Sequence, residues 1–237
     1  MPLGLGSNLS KTGLTTPGIV TDNLVLKHKY DAGSVVPVSD GAAYFDENND
    51  KIVVSHSTDF NFGTGNFTFA CWVLIVGDGN SEKIFDKNDG SNGWHIFLSA
   101  GKLRPIVTGT GAVTRDTELD DNEWHHIAVT ANRSGNLDCY VDGVLEPTTS
   151  DISGDSTTVN NSADAYIGIN EANSEDFGGY LCNIGIWSAA LTQAQIKSIM
   201  NKNYAGLTDS EKTNLVSWWN LSEDANDSHG SNNGTLS

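Results

Sequence analysis

One stretch of the chain, residues 122–146, constrains the fold more than any other, because it predicts three consecutive antiparallel strands with both turns visible. Residues from 124 to 130 alternate with the period of two that sends neighbouring side chains of a strand to opposite faces. A polar break at residues 132–136 separates this strand from a second one, which ends at Asp142-Gly143. Both residues of that dipeptide tolerate the positive φ of a tight hairpin turn. The sequence therefore predicts an antiparallel meander here.

Other segments continue the same pattern on either side. Residues 67–76 carry an apolar face on each side of the strand, which predicts a central strand covered by protein on both sides. Further strand patterns are GWHIFLS, AYIGIN and GGYLCNIGIW. With 25 Gly and few charged residues in 237, the chain favours many turns over long helices. We therefore expect an all-β fold in a single domain.

One helix interrupts the strands near the end of the domain. Thr192 and Gln195 form a capping box, the pairing of side chains with backbone N–H groups that begins a helix. About three turns ending near Asn203 are predicted from the apolar residues that share one face, Leu191, Ile196, Ile199 and Met200. A second box, Thr208 with Glu211, predicts one more short turn.

Charge and cysteine content exclude some classes of protein. The formal net charge of −17 repels phosphate backbones, so we expect no nucleic-acid partner. The three cysteines, Cys71, Cys139 and Cys182, have no paired spacing and are predicted to be free and buried. The first residues show no basic region and no apolar run of signal-peptide length, and no stretch is apolar enough to span a bilayer. The sequence thus predicts no secretory signal and no membrane insertion.

The order of the strand motifs resembles a known family. FTFACWV, GWHIFL, EWHHIAVT, DCYVDGVL, AYIGIN and FGGYLCNIGIWSAALTQAQI follow one another as in laminin G-like and pentraxin-like domains of the concanavalin A-like lectin/glucanase superfamily. The resemblance covers residues 40 to about 200. It implies a two-sheet antiparallel jelly-roll sandwich with one short helix near the C-terminal side. Members of this superfamily are mostly glycan-binding or adhesion modules, often with calcium, and similar domains occur in tailed-phage structural proteins.

The two ends of the chain complete the predicted organisation. Residues 1–22 are rich in Gly, Ser, Thr and Pro without periodicity, which indicates an extended N-terminal arm, either loose or ordered by a partner. Residues 23–237 form the predicted jelly-roll domain. Residues 214–237 resemble the opening strand of such domains, and either complete the sandwich or begin a truncated repeat. We favour completion, because the two tryptophans of this segment would otherwise be exposed.

Calcium is the one cofactor that the sequence suggests. Asp46, Asn48 and Asp50 have the oxygen spacing of a calcium loop, but residues 51 and 57 do not continue an EF-hand. A site built from Asp46, Asp50 and Asp227 is one interpretation, and a turn rich in Asx residues is the other. A departure from the family bears on the metal: where many relatives carry an acidic pair that helps a calcium site, this chain has Cys182 and Asn183.

Three further patterns carry candidate chemistry. Trp218 and Trp219 are the predicted ligand-binding residues, because an indole face can stack on a sugar. His125 and His126 are adjacent on a strand and point to opposite faces, so they cannot share a metal ion. Glu118 and Glu123 match the carboxylate spacing of related glucanases, but the turn-forming residues between them favour a solvated loop, so we predict no catalytic residues.

Two compatible functions are consistent with these patterns. We expect a non-catalytic virion structural protein of a tailed phage, a capsid decoration or tail-associated subunit that is assembled in the host cytoplasm. In this hypothesis the N-terminal arm docks on other virion subunits and the protein is a homo-oligomer. The alternative is a glycan-binding adhesion module that recognises a cell-surface glycan, either with calcium or without it. A β-glucan hydrolase ranks below both.

Overall fold

The polypeptide forms two antiparallel β-sheets packed face to face, as seen in a computed structural model that describes residues 39, 41–77 and 81–237. The strands are β1 (Ala43–Asp46), β2 (Ile52–Val54), β3 (Phe67–Ile75), β4 (Glu82–Asn88), β5 (Gly93–Ser99), β6 (Lys102–Leu103), β7 (Ile106–Val107), β8 (His125–Ala131), β9 (Asn136–Val141), β10 (Val144–Leu145), β11 (Ser150–Asp151), β12 (Ala165–Ile167), β13 (Gly178–Trp187), β14 (Leu215–Trp219) and β15 (Gly234–Leu236). The α-helix of the described part, α1, spans Gln193–Ile199, and short 3-10 turns span Thr58–Phe60 and Tyr204–Gly206.

The two sheets are formed by strands that are far apart in the chain. Sheet I has the order β1-β13-β3-β8-β9-β10, with β14 also paired to β13 and β11 to β9. Sheet II has the order β15-β2-β12-β4-β5-β6, with β7 also paired to β5. This arrangement confirms the predicted all-β jelly-roll sandwich with one short helix.

The core lies between the inner faces of the two sheets. Alternate residues of β3, among them Phe67, Phe69 and Cys71, point into it and are fully buried. A second, smaller apolar cluster lies on the outer face of sheet I, where Ala70 and Ala128 are covered by α1 and by the segment that follows it. Strand β3 is therefore buried on both faces, as the sequence predicts, because apolar side chains project from each face of the strand.

The predicted meander is present with its predicted turn. Ile127 of β8 lies opposite Val141 of β9, and β10 returns along β9 with Val144 opposite Val141. Asp142 and Gly143 have φ values of 50° and 72°, the left-handed conformations that the hairpin turn requires. All three cysteines are free and buried, which also agrees with the sequence.

Helix α1 begins where predicted and ends earlier. Thr192 and Gln195 form the reciprocal capping box. The helix has two turns rather than three. At its end Lys202 N donates to Ile199 O in a local turn, and the indole of the distant Trp72 donates a hydrogen bond to the Met200 carbonyl at 2.8 Å. The predicted second turn is present, with the Glu211 side chain accepting from the Thr208 backbone N–H at 2.8 Å.

The C-terminal segment contributes one strand to each sheet. Strand β14 pairs with β13 at one end of sheet I, with Trp219 opposite Ile184. Strand β15 pairs with β2 in sheet II. The segment 215–237 thus contributes pairing and packing to both layers of the sandwich.

The predictions for the N-terminal arm, residues 1–22, and for a strand starting near Asn23 fall outside the described residues. No helix in the described ranges is long and apolar enough to cross a membrane.

Candidate functional site

An exposed row of aromatic side chains lies on the outer face of sheet I. Tyr44 on β1 is directly opposite Tyr180 on β13, and their ring centroids are 4.9 Å apart. Tyr180 is in turn opposite Leu74 on β3, and the ring of Trp124, which precedes β8, lies 6.3 Å from that of Tyr180. We call Tyr44, Tyr180 and Trp124 the aromatic row. It crosses the strands at one end of the sheet.

Strand alternation explains why these rings point outward. Phe45, the neighbour of Tyr44, is 2% exposed and packs against Phe177 in the core, so Tyr44 must face away from it. Leu181 is likewise buried and leaves Tyr180 on the outer face. Tyr44 is 54% exposed and Tyr180 is 37% exposed, whereas the part of this face near α1 is covered. The two tyrosines therefore form an uncovered aromatic surface, and Trp124 lies half-buried beside them.

A carboxylate lies beside the aromatic row. Asp46 is two residues beyond Tyr44 on β1 and so shares its face of the strand. Its strand partner is Gly178, and the space next to this glycine is filled by the backbone of Gly77 and the carboxyl group of Glu47. Asp46 is exposed and accepts a hydrogen bond from Asn48 N at 3.0 Å, which leaves further lone pairs for a ligand.

Aromatic faces beside a carboxylate match the chemistry of a sugar. The C–H bonds on one face of a pyranose ring are weakly positive and pack on the negative face of an aromatic ring. Sugar hydroxyls donate hydrogen bonds, which a carboxylate accepts. The aromatic row with Asp46 supplies both kinds of contact on one surface.

The two adjacent histidines lie in different environments near this end of sheet I. His125 is held between Asp142, at 2.9 Å from its Nδ1, and Asp121, at 3.2 Å from its Nε2. The hydrogen bond with Asp142 is the main cause that raises the pKa of His125. His126 points to the opposite face, is buried, and packs edge-on against Trp72. Burial lowers the pKa of His126 to about 4.

We expect His126 to make the fold sensitive to acid. Its imidazole has a pKa of about 6.5 in an unfolded chain and about 4 in the native state, so between these values the unfolded chain binds more protons. The contribution of His126 to the free energy of unfolding therefore falls by about 3 kcal/mol as the pH drops from 7 to 4. Urea unfolding of the wild type and His126→Gln across this range measures it. Parallel pH profiles for the two proteins would show that another group is responsible.

The two tryptophans nominated from the sequence are core residues. Trp218 and Trp219 are 2% and 0% exposed. Trp218 packs edge-on against Trp187 in the cluster under α1, and its Nε1 donates to Asn220. Trp219 lies between the sheets and donates to the carbonyl of Asn232. In this structure neither indole presents a face to a ligand. Because adjacent strand residues point to opposite faces, Trp218 packs into the cluster under α1 and Trp219 into the core between the sheets.

The three aspartates predicted to hold calcium are not brought together. Asp46 Oδ1 accepts a hydrogen bond from Asn48 N at 3.0 Å, which is the Asx-turn alternative, and the Asp50 side chain accepts one from Asp46 N at 3.0 Å. The Asp227 carboxylate lies in the connection from β14 to β15 and accepts hydrogen bonds from four backbone N–H groups. Within residues 39, 41–77 and 81–237 no group of three or more His, Cys, Asp or Glu is arranged to hold a metal ion. Calcium binding remains a prediction.

The carboxylate pair of the glucanase-like motif lies in a loop. Glu118 has a side chain that is 60% exposed and forms an ion pair with Lys102 at 3.3 Å. Leu119 is buried and anchors the loop, and Glu123 precedes β8 without belonging to a strand. The strand geometry that would hold two carboxylates across a cleft is not present at this motif.

A cleft of about 360 Å³ lies elsewhere, between the loops 109–111 and 151–156. Its polar side chains are already used: Asp155 accepts hydrogen bonds from Arg133 at 2.7 Å and from Thr157 N at 2.9 Å.

The chain is similar to known proteins in sequence pattern and in structure. Residues 46–197 match the Laminin_G_3 family, described as the concanavalin A-like lectin/glucanases superfamily. A candidate carbohydrate-binding protein from Bacteroides ovatus ATCC 8483 is similar in structure, with 21% identity and a TM-score of 0.66 over 82% of this chain and 57% of that one. Among curated proteins, none matches the chain in sequence.

Two neurotoxin structures share the fold more distantly. The binding domain of botulinum neurotoxin DC in complex with rat synaptotagmin II is 16% identical, with a TM-score of 0.51 over 64% of this chain and 39% of that one. The same values hold for a structure of botulinum neurotoxin type C, whose cell entry depends on interaction with two ganglioside molecules. At such identities the likeness shows the fold alone, and this chain spans between 39% and 57% of the length of the three structures.

Proposed function

Because the chain belongs to the concanavalin A-like lectin/glucanase superfamily, we propose that it is a glycan-binding protein and that the aromatic row holds the sugar. The observation that carries this proposal is the alignment of two exposed rings, Tyr44 on β1 and Tyr180 on β13, with the half-buried Trp124 just before β8. Rings fixed on paired strands lose little freedom when a ligand binds, which favours affinity.

The mode of binding follows from the geometry. A pyranose ring packs on Tyr180, and neighbouring units of the chain extend over Tyr44 or Trp124. Asp46 accepts hydrogen bonds from hydroxyls at the Tyr44 end. The surface is open rather than enclosed, which suits an extended or branched glycan and not a small buried ligand.

Two observations support binding rather than catalysis. Glu118 is exposed and ion-paired in a loop, so the motif that suggests a hydrolase lacks the necessary geometry. The similar solved structures are of binding proteins and binding domains. The ganglioside dependence of cell entry belongs to botulinum neurotoxin type C, and this chain covers 39% of that structure.

The double variant Tyr44→Ala/Tyr180→Ala tests the proposal on a glycan array. Each lost ring contact costs about 0.5–1.5 kcal/mol, so the variant should bind its glycans about 5- to 100-fold more weakly than the wild type. Both side chains are exposed, so the fold should be retained.

The matched control is Val144→Ala/Leu145→Ala, which removes two exposed apolar side chains from the opposite edge of sheet I. It should bind like the wild type. A wild-type protein that binds nothing on a broad array, or a double variant that binds normally, would contradict the proposal.

The virion hypothesis is compatible with glycan binding, because a subunit on a virion surface can also hold sugars. Its basis is the N-terminal arm, which falls outside the described residues, so it stays a hypothesis. Deletion of residues 1–22 tests it: the truncated chain should stay folded and lose assembly with its partner subunits.

A further inference from the structure

The outer face of sheet II carries a compact group of polar and aromatic side chains. Trp94, Ile96 and Leu98 of β5 point into the core, so alternation places His95 and Phe97 on the outer face. The cross-strand partners of His95 and Phe97 are Asp86 and Lys83 on β4, and Tyr166 on β12 lies opposite Asp86. Arg104 joins them, with its guanidinium 5.5 Å from the centre of the Phe97 ring.

We call this group the polar face, and it has a buried floor and a partly exposed rim. Asp86, Lys83 and Phe97 are between 4% and 5% exposed, while His95, Arg104 and Tyr166 are half-buried around them. Buried charged residues such as Asp86 and Lys83 are uncommon on the outer face of a sheet, because charged side chains are seldom buried without partners.

Several polar atoms of this face are buried and have no hydrogen-bond partner. They are Oδ1 of Asp86, Nε2 of His95 and Nε of Arg104. His95 Nδ1 lies 3.5 Å from Asp86 Oδ1, within the range of an ion pair when the imidazole is protonated but too far for a good hydrogen bond. Each unpaired buried group costs about 1–3 kcal/mol of stability, so three on one face call for an explanation. These atoms have almost no solvent-accessible surface, so a ligand reaches them only when the half-buried side chains of His95 and Arg104 turn outward.

The polar face is less acidic than the protein as a whole. The chain has 13 Lys plus Arg against 30 Asp plus Glu, yet two of the cations, Lys83 and Arg104, lie 4.5 and 5.5 Å from the centre of the Phe97 ring and balance Asp86 and Glu175. Lys83 pairs with Glu175 at 3.3 Å. Arg104 forms no ion pair within the described ranges, and its planar guanidinium matches a carboxylate.

The three groups include hydrogen-bond donors and an acceptor, and this combination defines the chemistry of the ligand. Arg104 donates hydrogen bonds and carries a positive charge, and His95 Nε2 can donate one as well. Asp86 accepts. A ligand that satisfies all three needs a carboxylate together with a hydroxyl donor, while Phe97 and Tyr166 provide apolar contact.

We propose that the polar face is a second binding site, specific for a sugar that carries a carboxylate, such as a uronic acid, with Arg104 on the carboxylate and Asp86 on a hydroxyl. This site is separate from the aromatic row, on the opposite layer of the sandwich, and it depends on the proposed function only in that the ligand is a sugar. It extends the recognition from neutral to acidic glycans.

Titration calorimetry with D-glucuronate at pH 7 tests the second site. D-glucuronamide has the same ring without the charge, and acetate has the charge without the ring. Both should bind at least about tenfold more weakly than D-glucuronate, because each lacks contacts worth about 1.4 kcal/mol or more. Arg104→Gln should lose about tenfold or more in affinity for D-glucuronate, and Arg104→Lys, which keeps the charge and the contact with Phe97, should lose less.

Two controls separate this proposal from the first one. Lys197→Gln removes an exposed cation on α1 and should leave D-glucuronate binding unchanged. Tyr44→Ala/Tyr180→Ala should also leave it unchanged, even when that variant no longer binds its array glycans.

Four results would overturn the second site. They are no binding of D-glucuronate by the wild type, equal affinity for D-glucuronamide, equal affinity for acetate, and full binding by Arg104→Gln. None of these depends on whether the aromatic row binds a glycan.

Discussion

Replacing Trp219 with alanine is expected to lower the free energy of unfolding by about 4 kcal/mol, in the range seen when a buried tryptophan is truncated. Trp219 is fully buried, and its ring lies 6.1 Å from that of Phe60 and 6.3 Å from that of Phe85. Its Nε1 also donates to the carbonyl of Asn232 at 2.9 Å, which ties the last strand region to β14. Truncation leaves a cavity between the sheets and one carbonyl without its donor.

Guanidinium unfolding of Trp219→Ala and Trp124→Ala distinguishes a core role from a ligand role. Trp124 belongs to the exposed aromatic row, so Trp124→Ala should lose less than about 1.5 kcal/mol of stability and should weaken glycan binding. Trp219→Ala should lose about 4 kcal/mol of stability but, at temperatures where it is still folded, bind the glycan as the wild type does. If Trp219→Ala keeps its stability but loses glycan binding, the indole is a sugar contact and its assignment to the core is wrong.

Replacing Asp227 with alanine is expected to cost about 3 kcal/mol of stability, independent of calcium. Oδ1 of Asp227 accepts hydrogen bonds from Trp218 N, His229 N and Gly230 N, each at 3.0 Å, and Oδ2 accepts one from Asn232 N at 3.1 Å. Hydrogen bonds to a charged group contribute about 1.5–3 kcal/mol each but are not additive. Their loss leaves four donors of the β14–β15 connection without an acceptor.

The control for Asp227 is Asp224→Ala in the same connection. Asp224 is exposed and accepts from Asn226 N, so its removal should cost less than about 1 kcal/mol. Thermal unfolding of both variants with calcium and with a chelator completes the test. A wild type that calcium stabilises strongly, beside an Asp227→Ala protein that calcium does not affect, would make Asp227 a metal ligand.

Local patterns were sufficient to predict the strands and turns of this protein, whereas the two-sheet jelly roll was expected from the family resemblance. Alternation over residues 122–146 and the positive φ required at Asp142 and Gly143 depend only on neighbouring residues. The capping box of α1 is local too. The length of the helix is not, because its end depends on the Trp72 indole, which is distant in sequence.

The candidate site could not be predicted in the same way. Tyr44 and Tyr180 meet only because β1 pairs with β13, and nothing in either local segment indicates this pairing. One signal was present: each tyrosine is next to a residue that a core requires, Phe45 or Leu181, and therefore faces outward. Trp218 and Trp219 are not available to a ligand, because the outer face of β14 packs beneath α1 and its inner face packs between the sheets.

The buried carboxylate of Asp227 shows a second limit. Composition and spacing cannot distinguish an aspartate that holds a cation from one that caps backbone N–H groups, since both need the same oxygen atoms. Only the position of the four donors shows the capping role in this protein.

The most direct test of the central claim, that the aromatic row holds a glycan, is NMR of the protein with isotope-labelled tyrosine rings. The chain has six tyrosines, so the spectrum is simple to assign. On addition of the strongest neutral glycan from the array, we expect the ring signals of Tyr44 and Tyr180 to shift and those of Tyr140 and Tyr204, which pack near α1, to stay in place. A glycan that binds while the signals of Tyr44 and Tyr180 remain unchanged would contradict the claim.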